Sequence, residues 1–192
     1  LKIWILKKLL RSEIKSKSKK EKNLELNRIY KSALITGGAQ RIGESIACYL
    51  ANNGLNIAIQ FNKSKKKAQE LKNRFKNKKT RFSIYKFDFE KNKNISKFYK
   101  KIINEFGHID ILINNAGITK DNLTIRMNKT EWDNVIDINL TSTFLLTKYT
   151  IKKMLKKKSG KIINVTSVVA HTGNLGQANY SASKGGILSM SK

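Results

Sequence analysis

The chain has 192 residues, with 40 Lys and Arg against 13 Asp and Glu, so its formal net charge is +27. Its single cysteine excludes an internal disulfide, and the absence of proline with only 11 glycines excludes collagen-like and proline-rich chains. Hydrophobic residues make up 40%, enough for one core, and the sequence has no run of about 20 apolar residues that could cross a bilayer. We expect one α/β or α+β domain in a reducing compartment.

The positive charge is distributed along the whole chain. Asparagine and isoleucine are also abundant, a bias that A/T-rich codons explain without selection for an anionic partner. No zinc-finger spacing or aromatic RNA-binding motif accompanies the basic residues. We predict salt-sensitive, non-specific binding to polyanions, with no specific nucleic-acid partner and no membrane association.

The first 30 residues differ from the rest. Leu1–Leu10 is apolar and basic, and Lys15–Lys22 is rich in lysine and serine. We interpret residues 1–30 as a basic arm, either disordered or a targeting segment of transit type, and residues 31–192 as the domain. The cysteine usage favours the cytoplasm, and a plastid is the alternative if the arm is a transit segment.

Beyond the arm, short apolar runs alternate with segments of helical periodicity. The runs predict strands at Ser32–Ile35, Leu55–Phe61, Phe82–Phe87, Ile109–Ile113 and Lys161–Val165. The periodic segments predict helices between Ile42 and Gly54, at Lys65–Lys78, at Ile95–Phe106, over most of Thr130–Lys156 and from near Ala178. Strands that alternate with helices indicate βαβ units and a parallel sheet.

A glycine-rich turn, Thr36–Gly43, follows the first predicted strand and leads into a helix. At such a turn, backbone N–H groups and the helix dipole can hold a phosphate. A P-loop would need Lys and Ser or Thr after the last glycine, but Gly43 is followed by Glu44 and Ser45. The turn therefore indicates either a dinucleotide site or a tight turn without a ligand.

The end of the second predicted strand bears on the choice of cofactor. Sites for NAD usually place Asp or Glu there to hold the ribose 2′-hydroxyl. This chain has Gln60–Ser64, which contains no acid and includes Lys63, while Arg41 belongs to the glycine turn. Two cations without a carboxylate favour a 2′-phosphate, and hence NADP.

Four polar residues form a candidate catalytic set. Tyr180 and Lys184 lie four residues apart at the start of a predicted helix, which places them on one face. Ser167 follows the fifth predicted strand, and Asn139 lies inside the long helical segment. Each residue alone is ordinary, but together with the glycine turn they form a specific pattern.

That pattern resembles the short-chain dehydrogenase/reductase family. The matching pieces are Thr36-Gly37-x-x-x-Arg41-Ile42-Gly43, Asn114-Asn115-Ala116-Gly117, Asn139, Ser167 and Tyr180-Ser181-Ala182-Ser183-Lys184. The resemblance extends from about Lys31 to Lys192, and residues 114–123 and 173–180 are similar to the family's 3-oxoacyl-[acyl-carrier-protein] reductases. It implies a Rossmann-type, doubly wound parallel sheet with helices on both faces.

The resemblance also implies an activity, namely NADPH-dependent reduction of a 3-oxoacyl-[acyl-carrier-protein] to the 3-hydroxyacyl thioester in fatty-acid biosynthesis. Tyr180 would pass a proton to the carbonyl oxygen, and the Lys184 ammonium would favour the phenolate. Ser167 would hydrogen-bond that oxygen, and Asn139 would hold a water that links Lys184 to solvent. The alternatives are acetoacetyl-CoA reductase, another short-chain reductase, and a non-catalytic truncated remnant.

The implied NADP(H) site extends over both halves of the chain. Lys184 would contact the nicotinamide ribose, Asp88 the adenine, and Asn115 and Gly117 the adenosine ribose. The complete set is Gly37, Gly38, Ala39, Gln40, Arg41, Ile42, Gly43, Asn62, Lys63, Asp88, Phe89, Asn115, Ala116, Gly117, Tyr180 and Lys184.

Two features depart from the family pattern. Arg41 stands where the family has the middle glycine of the turn, and the sequence ends at Lys192, just after the candidate catalytic lysine. Family members continue through further strands and assemble as homotetramers, so we expect the C-terminal strands to be missing from this chain. No metal is expected, because His108 and His171 have no partners at ligand spacing.

Overall fold

A parallel sheet forms the centre of the protein. The computed structural model describes residues 30–192, in which the strands are β1 (Ser32–Ile35), β2 (Asn56–Phe61), β3 (Phe82–Lys86), β4 (Ile111–Asn114) and β5 (Lys161–Asn164). The strand order is β3-β2-β1-β4-β5, with every neighbouring pair parallel. This confirms the predicted Rossmann-type fold. The order reverses between β1 and β4, which places a ligand crevice at their carboxyl ends.

Helices connect these strands. Within residues 30–192 the α-helices are α1 (Arg41–Asn52), α2 (Lys65–Arg74), α3 (Ile95–Phe106), α4 (Lys129–Ile136), α5 (Ser142–Lys157), α6 (Val169–Thr172) and α7 (Ala178–Met190). A 3₁₀-helix at Phe89–Asn94 precedes α3, and a π-helical turn at Asp137–Thr141 joins α4 to α5. None of these described helices has the length and apolarity needed to span a membrane.

The two faces of the sheet carry separate apolar cores because successive side chains of a strand point in opposite directions. Ala33 and Ile35 of β1 pack with residues of α1 and α2. Leu34, between them, packs on the other face with residues of α3 and α5. All four β1 residues are buried, as the continuous apolar run predicted. Of the arm predicted at residues 1–30, only Tyr30 lies among the described residues, and it is buried in the first core.

One helical prediction was wrong in detail. The helix predicted at Lys65–Lys78 ends at Arg74, and Phe75, just past its end, is buried in the core and stacks on Phe82 with ring centroids 5.0 Å apart. The prediction that most of Thr130–Lys156 is helical is confirmed, and this segment contains the π-helical turn. The 3₁₀-helix and α6 were not predicted from the sequence.

A buried carboxylate joins β1 and β4 at their amino ends. Asp110 accepts hydrogen bonds from the backbone N–H groups of Lys31 (2.7 Å) and Ser32 (3.1 Å) and from the Lys157 ammonium (2.7 Å). Burial by itself would raise the pKa of Asp110, but Lys157, the Lys31 N–H and the nearby His108 ring outweigh it and hold this pKa below its ordinary value. The ionised side chain therefore stabilises the folded state.

We expect Asp110→Asn to lower the free energy of unfolding at neutral pH by roughly 2 kcal/mol, because hydrogen bonds to a charged group are lost. Since the folded-state pKa is depressed, this contribution is present above about pH 4 and is lost as the pH falls through the folded-state pKa. Urea unfolding at several pH values should show the two proteins converging in acid. Asp133→Asn, which removes an exposed pair with Lys129, should cost far less. Equal costs for the two variants at neutral pH would contradict the prediction.

Candidate cofactor groove and catalytic residues

The turn after β1 is joined directly to the turn after β4. The Thr36 hydroxyl accepts hydrogen bonds from the backbone N–H groups of Asn115 and Ala116, each at 2.9 Å. The Asn115 amide donates in return to the carbonyl oxygens of Thr36 (3.0 Å) and Gly37 (3.2 Å). The Asn-Asn-Ala-Gly motif thus holds the glycine turn in place from the neighbouring strand.

Two glycines of the turn are required by close contacts. Gly37 has a φ of +60°, a conformation that other residues rarely adopt. A Cβ atom on Gly43 would lie 2.1 Å from the Gly37 carbonyl oxygen, so α1 begins directly against the turn only because this residue has no side chain. Gln40, which precedes α1, makes no side-chain capping bond, so the first N–H groups of the helix face the turn without a side-chain cap.

A groove of about 490 Å³ lies along the carboxyl ends of β1, β2 and β4. Nine of the predicted cofactor residues line it: Gly37, Ala39, Gln40, Asn62, Lys63, Asp88, Phe89, Ala116 and Gly117. The Phe89 side chain itself is buried in the core below. Gly38, Arg41, Ile42, Gly43, Asn115, Tyr180 and Lys184 are not among its lining residues. The structure therefore brings most of the predicted set together in the groove. Gly43 and Asn115 do not line the groove, and they contact the glycine turn at Gly37 instead.

Charged residues of both signs reach this groove. Lys63 and Lys120 line it, and so do Asp88 and Glu90. The Asp88 carboxylate accepts a hydrogen bond from the Glu90 N–H at 3.1 Å, which caps the 3₁₀-helix. The end of β2 itself carries no acid, as the sequence shows.

Gln60 also lines the groove, although it was not among the predicted cofactor residues. It is 2% exposed, and its side chain joins the glycine turn to the end of β3. Its amide oxygen accepts from the Gly37 N–H (2.9 Å), and its amide nitrogen donates to the Phe87 carbonyl (2.6 Å). The signal was present in the sequence, because Gln60 is an uncharged polar residue between the apolar residues Ile59 and Phe61 of a buried strand.

Asn139 lies in the π-helical turn and is completely buried. Its side-chain oxygen accepts from the Ile118 N–H (2.9 Å), and its amide nitrogen donates to the Ile118 carbonyl (3.0 Å) and the Ser183 hydroxyl (3.0 Å). It therefore ties the segment after β4 to α7. A π turn widens the helix locally and is frequent at functional sites.

Tyr180 and Lys184 share one face of α7, as their spacing predicts. The Lys184 ammonium lies 5.7 Å from the centroid of the Tyr180 ring and donates to the Val165 carbonyl at 2.8 Å. Lys184 is 4% exposed, whereas Tyr180 is half-buried. A Cβ atom on Gly117 would lie 3.5 Å from the Lys184 ammonium nitrogen, which places the end of the groove beside the candidate catalytic lysine.

The fourth predicted residue, Ser167, lies beyond β5 at the same carboxyl edge of the sheet. It is half-buried, and its carbonyl oxygen accepts from the Ala170 N–H at 3.1 Å as α6 begins. The four candidate catalytic residues thus come from the π turn, the segment after β5 and α7.

A further network of hydrogen bonds, not predicted from the sequence, lies beside this site. Asn179 is completely buried and donates to the carbonyl oxygens of Lys120 (2.9 Å) and Glu131 (3.3 Å). The Asn128 N–H and the Asn122 amide donate to the Glu131 carboxylate and hold its pKa below the ordinary value. The segment after β4 is therefore fixed against both α4 and the start of α7. Among residues 30–192, no three His, Cys, Asp or Glu side chains form a group that could hold a metal ion.

Comparisons with known proteins agree with this geometry. A family model described as short chain dehydrogenase matches residues 31–192. Relatives named 3-oxoacyl-[acyl-carrier-protein] reductase FabG are 43% identical in Staphylococcus epidermidis and 42% in Staphylococcus aureus, each over 162 residues that make up 84% of this chain and 66% of the relative. A relative of the same name in Aquifex aeolicus is 39% identical over 165 residues, or 84% of this chain and 65% of that protein. The chain thus spans just under two thirds of these relatives, and the resemblance seen in the motifs is confirmed.

The backbone at Arg41 generates a prediction about stability. Arg41 has a φ of +52°, in the left-handed region, at the first position of α1. We expect Arg41→Gly to raise the free energy of unfolding by up to about 1 kcal/mol, because glycine removes the strain and a cation leaves a helix N-terminus. Thermal and urea unfolding would measure the gain.

Two other variants provide comparisons for the stability of Arg41→Gly. Lys158→Gly, at the exposed end of α5 with a φ of +51°, should give a smaller gain, because glycine again removes the strain but a cation leaves a helix C-terminus, where it is favourable. Gly43→Ala should destabilise the protein by roughly 3 kcal/mol because of its contact with the Gly37 carbonyl. A loss of stability in Arg41→Gly would show that its side chain contributes more than the backbone strain costs.

Proposed function

Because the chain belongs to the short-chain dehydrogenase family, we propose that it reduces a 3-oxoacyl-[acyl-carrier-protein] to the 3-hydroxyacyl thioester with NADPH. The observation that supports this most is the Tyr180–Lys184 pair, whose ammonium-to-ring distance is 5.7 Å, at the end of a groove suited to a dinucleotide. The names of the relatives support the carrier-bound substrate and a role in fatty-acid biosynthesis. A homotetramer and a cytoplasmic location belong to the same proposal.

The residues of the groove suit NADP(H). The start of α1, which has no side-chain cap, would offer N–H groups to a pyrophosphate, and the position of Lys63 in the groove supports a contact with a 2′-phosphate. The absence of a side chain at Gly117 leaves room next to Lys184. When bound, the nicotinamide supplies the hydride for the substrate carbonyl carbon.

Residues of the chain itself would transfer the proton to the substrate. Tyr180 donates its phenolic proton to the carbonyl oxygen, and the neighbouring Lys184 ammonium stabilises the phenolate that remains. Ser167 donates a hydrogen bond to the same oxygen as negative charge develops there. Asn139 holds the segment after β4 and α7 together, so that these groups keep their relative positions.

A second candidate, acetoacetyl-CoA reductase, uses the same chemistry on a different thioester. The site residues described above do not distinguish a carrier protein from CoA. The ratio of kcat/KM for acetoacetyl-carrier-protein and acetoacetyl-CoA decides between them, and our proposal requires the carrier-bound substrate to be preferred.

We expect Tyr180→Phe to lower NADPH-dependent reduction of acetoacetyl-carrier-protein by about 10²-fold or more, because the general acid is removed, while NADPH binding is retained. The measurement is NADPH oxidation followed by absorbance. Tyr149→Phe is the matched control, since this half-buried tyrosine stacks on Tyr99 between α5 and α3 and should tolerate the change. Turnover that survives in Tyr180→Phe would contradict the assignment. A chain that neither binds NADPH nor turns over would support the non-catalytic alternative.

The preference for NADPH gives a separate prediction. Lys63→Asp should weaken NADPH binding by about tenfold or more and spare NADH, because a charge-assisted bond to the 2′-phosphate is replaced by repulsion. Fluorescence titration with both nucleotides measures the change. Lys66→Asp, the same substitution at an exposed position of α2 that does not line the groove, is the control. An equal loss of affinity for both nucleotides in Lys63→Asp would refute the assignment of the 2′-phosphate site.

A further inference from the structure

The floor of the groove contains a buried amide whose two ends are bonded to different parts of the fold. Gln60 accepts from the Gly37 N–H at 2.9 Å and donates to the Phe87 carbonyl at 2.6 Å. Its own backbone carbonyl accepts from the Gly38 N–H at 3.0 Å. One residue of β2 therefore holds two residues of the glycine turn and the segment that follows β3.

The chemistry at this position requires one acceptor and one donor. Gly37 offers an N–H and Phe87 offers a carbonyl oxygen, and Gln60 is only 2% exposed, so water cannot easily replace either bond. An amide provides both functions in a single planar group. An apolar side chain would leave both backbone groups unpaired, and an ionised carboxylate would face the Phe87 carbonyl with no proton to donate.

We propose that Gln60 is a positioning residue for the dinucleotide, which holds the glycine turn at a fixed distance from the opposite wall of the groove. That wall is formed by Asp88 and Phe89, directly after Phe87, and the turn presents Gly37 and Ala39 to the same space. The inference rests on the proposed cofactor function and adds a residue that sets the geometry of its site.

The isosteric variant Gln60→Glu tests this role, because its ability to donate a hydrogen bond depends on pH. A protonated carboxyl group can accept from Gly37 and donate to Phe87, as the amide does, whereas the carboxylate cannot donate. Burial raises the pKa of a carboxyl group at such a position, which brings the change of state into the working pH range. The other charged groups that line the groove are Lys63, Asp88, Glu90 and Lys120, and they are the same in every variant.

The experiment is a fluorescence titration with NADPH at about pH 6 and about pH 9, with folding checked by circular dichroism at each pH. We expect Gln60→Glu to bind about as tightly as the unaltered chain at the lower pH and about tenfold more weakly at the higher one. Gln69→Glu is the matched control, because it makes the same chemical change at an exposed position of α2. Ratios to this control remove the titration of the nucleotide and of the groove's own charges.

A second variant keeps the test decisive if the ionised variant unfolds. Gln60→Met cannot form either bond at any pH, so we expect it to bind NADPH about tenfold more weakly at both pH values. A folded Gln60→Met that binds like the control, or a folded Gln60→Glu with the same affinity at both pH values, would overturn the positioning role and leave the cofactor function standing. Absence of NADPH binding by the unaltered chain would overturn the cofactor function, and the inference with it.

Discussion

The join between the carboxyl ends of β1 and β4 is the constraint on which the rest of the site depends. Thr36 accepts from two N–H groups of the Asn-Asn-Ala-Gly segment, and Asn115 returns two hydrogen bonds to the glycine turn. β1 and β4 are neighbours in the sheet but far apart in sequence. These hydrogen bonds therefore join the two halves of the fold at the point where the strand order reverses. The contact of Gly43 with the Gly37 carbonyl then fixes where α1 begins. Without this join, neither the floor of the groove nor its position relative to the candidate catalytic residues would be defined.

Buried amides hold the carboxyl edge of the sheet together, whereas apolar packing holds its two faces. Gln60, Asn139 and Asn179 are almost or completely inaccessible to solvent, and each links segments that are distant in sequence. A buried amide with both ends bonded imposes direction and distance, which apolar contacts do not, and leaving either end unpaired is costly. The arrangement gives a pre-organised site, which the carbonyl reduction proposed for this chain would require.

Much of the fold follows from the chain itself. The apolar runs predicted all five strands to within two residues, and the alternation with helices predicted the parallel sheet. The differences concern local detail. α2 ends at Arg74, four residues before the predicted end, and the predicted helical segment Thr130–Lys156 contains a π turn around Asn139. Arg41, which stands where the resemblance leads one to expect glycine, has a positive φ, a conformation that glycine adopts without strain.

The sequence by itself determined the fold class, the family and the identity of the candidate catalytic and cofactor residues, because these depend on residue types at set spacings along the chain. The tertiary structure alone decided which of those residues meet in the groove, since proximity depends on strand order and on hydrogen bonds between distant segments. The tertiary structure showed that Gly43 and Asn115 contact the glycine turn and do not line the groove. It also revealed Gln60 and Asn179, whose side chains bond to other segments of the fold. A residue whose side chain joins two elements is difficult to recognise in the amino-acid sequence, because its hydrogen-bond partners are backbone groups, which nearly all residues have.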